Sequence, residues 1–107
     1  MTSAYQIISW RDIPAQIKVR AGATRISRSL SERFQTAIDE AAMKEGLIGT
    51  DEYLAMWRTS QWLEREGAPE EVALALVTEL ETAYLQERLT DLVARGGRSS
   101  ATSSGSP

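Results

Sequence analysis

The chain has 107 residues with twelve basic and fifteen acidic side chains, no cysteine and no histidine. That excludes disulfides, thiolate nucleophiles, thiolate or imidazole metal sites and every Ser-His or Cys-His catalytic pair. The net charge of −3 hides an asymmetry: residues 1–33 carry Arg11, Lys18, Arg20, Arg25, Arg28 and Arg33 against Asp12 and Glu32, while the remainder holds thirteen acids. Two readings follow: the basic end rests on acidic helices of the same molecule, or it forms a face for an anionic partner.

In chain order, "YQIISW" (residues 5–10) is rich in β-formers, and Pro14 places "RDIP" at a turn or strand end. "AQIKVRAG" then alternates, Ile17 and Val19 pointing one way and Gln16, Lys18 and Arg20 the other. The two runs read as an antiparallel hairpin whose apolar face must be covered by helices. "ATRISRSL" is a basic connector without an assigned element.

Ser29 to Glu32 spells a capping box, and Leu30, Phe34, Ala37, Ile38 and Ala41 make the apolar stripe of a first helix ending at Gly46. A second helix is expected from Thr50 to Gly67, with Asp51 and Glu52 in its first turn. Its large apolar residues, Tyr53, Leu54, Met56, Trp57, Trp62 and Leu63, spread over more than one face. Pro69 opens a third helix that runs without a breaker to Arg95. Its stripe of Leu85, Leu89 and Leu92 either meets a partner helix or folds back on the hairpin.

The fold class is thus α+β: a hairpin packed against three helices, the last one long, in a single domain over residues 1–95. Residues 96–107, "GGRSSATSSGSP", hold no large apolar side chain and read as a disordered tail. No apolar run reaches the roughly 18 residues of a membrane span and no signal peptide is apparent, so a cytoplasmic location is expected.

The search for chemistry returns no active site. Acid pairs such as Asp39/Glu40 and Glu70/Glu71 are sequence neighbours that diverge on a helix, no phosphate loop is present, and no cofactor is implied. The chain reads as a non-enzyme. What stands out is the hairpin: Trp10, Arg11, Asp12, Pro14 and Gln16 at its tip, with Lys18 and Arg20 on its outer face. Trp and Arg combine contact area with directed polar groups and are enriched in binding hot spots, so these seven residues are the candidate partner-binding surface. Trp10 can equally plug the helical core while the outer face stays free. The ribbon also admits a nucleic-acid reading, against which stands a sequence pI near 5.0.

"SWRDIPAQIKVR", followed by "LSERFQTAIDEAAMKEGLIGTDEYLAMWR", resembles the bacterial virulence factor family, whose domain also occurs in conserved virulence factor C-type proteins. The similarity covers about Tyr5 to Leu92. In larger members the domain sits beside a NifU-like scaffold domain and HEAT repeats, which implies assembly or protein interaction. Stand-alone versions resemble small proteins encoded among folate- and corrinoid-linked methyl-transfer genes. The resemblance brings no catalytic residues. It leaves three expectations: a module docking a larger protein, a small subunit of a methyl-transfer complex, and a nucleic-acid binder.

Overall fold

A computed structural model describes residues 1–98. Three strands open the chain, β1 (Thr2–Trp10), β2 (Ile13–Ala21) and β3 (Thr24–Ser29), followed by α1 (Glu32–Lys44) and the short α2 (Asp51–Ala55). Two more strands, β4 (Trp57–Thr59) and β5 (Leu63–Glu66), precede α3 (Pro69–Ala83) and α4 (Gln86–Ala94). The strands form one antiparallel sheet in the order β3-β2-β1, with β4 and β5 both along the far edge of β1. The α+β class and the N-terminal hairpin are as the sequence indicates.

The differences lie in how the elements are divided. The connector "TRISRS" is β3, paired along its whole length with β2. The expected second helix stops after Ala55. Trp57 then pairs with Trp10, and after a short break Leu63–Glu66 pairs with Thr2–Tyr5. Ser60 bridges the break: its Oγ accepts the Ile7 N–H at 2.9 Å, and the Gln6 side chain donates to the Ser60 carbonyl at 3.0 Å. The unsatisfied edge of β1 outweighs the helical propensity of this segment, because each buried strand N–H needs an acceptor.

The helical run 69–94 is divided at Tyr84, whose backbone (φ −113°, ψ 68°) leaves the helical region. Two arginines stabilise the carbonyls left open there. Arg33 of α1 donates to the Glu81 and Tyr84 carbonyls at 2.7 and 3.3 Å, and Arg88 donates to the Ala83 carbonyl at 3.1 Å. The break lets α4 turn back onto α1. Leu89 and Leu92 are buried there with Trp10, Ile13, Phe34 and Ile38, while Leu85 remains exposed. Of the two readings of the leucine stripe, the structure takes the inward one.

α1 starts at Glu32 rather than Ser29, because Ser29 is the last residue of β3. The cap position falls to Ser31, whose N–H and hydroxyl both donate to the Glu81 carboxylate at 2.6 and 2.7 Å. Its other end is a Schellman turn: Gly46 N–H donates to the Met43 carbonyl and Leu47 N–H to the Ala42 carbonyl, with Leu47 buried beneath.

The sheet has two unlike faces. Ile17 and Val19, with Tyr5 and Ile7 opposite them on β1 and Ile26 on β3, pack against Val72, Ala73 and Leu76 of α3. The alternation that directs these residues inward directs Gln6, Gln16, Lys18, Arg20, Arg25 and Ser27 to the opposite face. Among the described residues no helix is long and apolar enough to cross a membrane.

Candidate functional site: a sealed turn and an open basic face

The seven candidate residues separate into two groups. Trp10 is fully buried, its ring 5.8 Å from Tyr53 and its indole N–H donated to the Tyr53 carbonyl at 2.9 Å. Pro14 is buried as well. Arg11 is only 6% exposed despite its position at a strand-to-strand turn. Its backbone is left-handed (φ 52°), a region that costs a residue with a β-carbon and survives only where neighbours fix it.

Three segments do that fixing. The Arg11 N–H donates to the Met56 carbonyl at 3.0 Å at the end of α2. Its guanidinium Nη1 reaches the Glu45 carboxylate at 3.0 Å beyond α1 and the Gly96 carbonyl at 2.7 Å beyond α4. The Asp12 N–H donates to the Gly97 carbonyl at 2.9 Å, and Asp12 itself is half-buried. The hydrogen bond from Arg11 is the main reason the Glu45 carboxyl is held below the ordinary glutamate value.

The segment that closes over the turn was assigned from sequence to the tail. Gly96 and Gly97 instead form a second Schellman turn, donating to the Val93 and Leu92 carbonyls at 3.0 and 2.7 Å. Gly97 has φ +90°, and a β-carbon there would lie 2.9 Å from the Trp10 ring. Glycine is required for this lid. The signal was present as "ARGG", a helix C-terminus followed by paired glycines, but it merges with the low-complexity run behind it. The rest of the expected tail, from Ser99, lies outside the described residues.

The second group is Gln16, Lys18 and Arg20. Lys18 and Arg20 are exposed, and Gln16 is half-buried at the end of the face flanked by Leu30 and Gln35. Two further residues share this face. Arg25 of β3 pairs directly with Arg20, so the two guanidinium groups share a side. Trp62, between β4 and β5, lies under the Arg20 guanidinium at 4.0 Å from the ring centroid. Arg25 was legible as part of a basic run, but no strand was assigned to carry it. The pattern around Trp62 reads as helical.

The first reading of the basic end, internal pairing with acids of the same molecule, holds for some of its residues and not for others. Arg11 pairs with Glu45 and Arg33 with Glu81, each bringing a basic N-terminal residue against an acid at the end of α1 or on α3. Lys18, Arg20 and Arg25 make no ion pair among the described residues. Glu64 of β5 shares a depression with Arg20 and Arg25. The outer strand β3 adds an open edge: Thr24, Arg25, Ser27, Arg28 and Ser29 are all exposed.

A family model described as "Virulence factor" matches residues 8–93. That span runs from the end of β1 into α4 and includes Arg11 and Asp12 of the sealed turn, β2, β3 and Trp62. No significant match is found among curated proteins or among solved structures.

Proposed function

The chain belongs to the virulence factor family, and on that premise we propose that it is a non-enzymatic interaction module. It docks the acidic surface of a larger protein through the open face of its sheet, with Lys18, Arg20 and Arg25 as the charged contacts. The observation that carries this reading is the exposure of three cations on one face with no ion pair among the described residues, while other N-terminal arginines are neutralised within the fold. Charges left uncompensated in this way steer and orient association more than they stabilise a fold. The edge of β3 offers main-chain donors and acceptors beside them, the arrangement used in β-strand addition. Arg25 and Arg28 on that edge favour an acidic strand over a second copy of the chain.

Capture on the tagged full chain at low salt, followed by purification of the bound protein and measurement of the binary affinity, tests the reading. The Lys18→Glu/Arg20→Glu variant should lose the partner while retaining the wild-type circular-dichroism spectrum. Unchanged binary affinity in that variant would remove the open face from consideration. The identity of the partner decides whether the larger protein is a folate- or corrinoid-linked methyl-transfer enzyme, as gene neighbourhoods of similar proteins imply.

A single-stranded nucleic acid is the second reading, favoured by Trp62 beside Arg20 on an antiparallel sheet face, since aromatic stacking plus guanidinium contacts is the general way such strands are held. It requires an affinity that falls steeply with salt. Absence of binding to a mixed-sequence oligonucleotide at low salt would dispose of it.

A further inference from the structure

On the opposite side of the sheet a cleft of about 480 Å³ opens between β1, β4 and the junction of α3 with α4. Ile7, Leu80 and Tyr84 give it apolar walls, and its lining includes three arginines: Arg11, Arg58 and Arg88. Its size falls within the roughly 300–1,000 Å³ of small-molecule sites, and an apolar lining with a few convergent polar groups is their usual make-up.

The three arginines differ in what they already do. Arg58 of β4 is exposed and makes no ion pair among the described residues. Arg88 of α4 lies over the Tyr84 ring at 4.1 Å, so a flat group entering the cleft meets a surface already organised by stacking. Arg11 is nine-tenths buried, and its Nε has no hydrogen-bond partner among the described residues. Its guanidinium is already held by Glu45 and the Gly96 carbonyl, which leaves Arg58 and Arg88 as the cations of the cleft. Asp12, which carries an interaction of its own, is the one acid on the lining.

We propose that this cleft binds a small organic carboxylate with a flat apolar body. The carboxylate is held between Arg58 and Arg88, which approach from β4 and α4, and the body lies against Tyr84, Ile7 and Leu80. Planar guanidinium groups match carboxylates in a bidentate way that lysine does not, and the cleft contains no lysine. This site is separate from the basic sheet face, so its failure leaves the docking reading untouched.

The test is a titration of the isotope-labelled full chain with 1-naphthoate, followed by amide chemical shifts, with the uncharged 1-naphthamide as the matched control. Saturable shifts are expected at Ile7, Ser9, Thr59, Ser60 and Tyr84. Naphthamide should bind at least about tenfold more weakly, the loss expected of one charge-assisted contact. Arg58→Gln, at an exposed position with no ion pair among the described residues, should weaken naphthoate by a similar factor without altering the fold, and Lys18→Glu/Arg20→Glu should leave it unchanged. Shifts that fall elsewhere, naphthamide binding as well as naphthoate, full affinity in Arg58→Gln, or no saturable binding would each overturn the proposal.

Discussion

Arg11 and Arg20 sit nine residues apart on the same hairpin and have opposite fates. Arg11 at the turn is buried, ion-paired to Glu45 and closed over by Gly96 and Gly97. Arg20, next to last in β2, is exposed and rests on Trp62. Hairpin tips are ordinarily the solvated part and strand bodies the covered part. Here the order is reversed because the ends of α1, α2 and α4 converge on the turn, while α3 covers only one sheet face. A residue's chemistry marks it as a capable contact; the packing around it decides whether the contact is internal.

This contrast can be broken from its sealed side first. Trp10→Ala should cost about 3–5 kcal/mol of unfolding free energy, the range for emptying a buried aromatic site, as measured by urea denaturation. Gly97→Ala keeps every side chain of the turn but places a β-carbon against the Trp10 ring at a left-handed φ. Overpacking and backbone strain together should cost about 1–3 kcal/mol. If the chain were a free tail from residue 96, the same substitution would be silent. Arg11→Met removes the donor to the Gly96 carbonyl, and uncovering that acceptor should cost about 1–3 kcal/mol.

Glu45 adds a pH signature to the same side. Its folded pKa is lowered, so its contribution is fully present above the ordinary glutamate value of about 4.3. It is lost as the pH falls through the lowered folded value. Denaturation curves for Glu45→Gln should therefore show a flatter acid limb than wild type and converge with it under strongly acidic conditions. An unchanged limb would mean that Arg11 does not hold this carboxylate in solution. The smallest expected effect on stability is on the open side. Lys18→Glu/Arg20→Glu should alter unfolding free energy by no more than about 0.5 kcal/mol, as exposed substitutions usually do, while removing the partner.

Much of this arrangement was legible in the chain, and the remainder was hidden for identifiable reasons. The alternation of Gln16 to Arg20 gave the two faces of β2 correctly, because a period of two is unambiguous when one face is buried. The stripe from Leu30 to Ala41 gave α1, though not its first residue, since Ser29 completes a strand and Glu81 occupies the cap. β3 is not legible because "TRISRS" has a single half-buried position, Ile26, and an exposed edge strand has no apolar pattern to read. The segment from Met56 to Glu66 contains no glycine or proline, so nothing local interrupts a helix. Its aromatics spread over several faces, which was the sign that tertiary pairing with β1 would prevail. The division at Tyr84 had no sequence signal at all: it depends on Arg33 and Arg88, which are distant in sequence or ordinary in context. Of the seven candidate residues, Lys18 and Arg20 lie exposed on the open face, whereas Trp10, Arg11 and Pro14 are enclosed. Arg25 is legible only as part of a basic run, and Trp62 only as part of an expected helix.

The most direct measurement of the central contrast is arginine labelling of the native full chain with phenylglyoxal, with modification at each site followed by mass spectrometry. Arg20 and Arg25 should be modified early and Arg11 last, only as the fold opens, and addition of the purified partner should protect Arg20 and Arg25. Early modification of Arg11, or a partner that leaves Arg20 and Arg25 as reactive as in the free chain, would contradict the account.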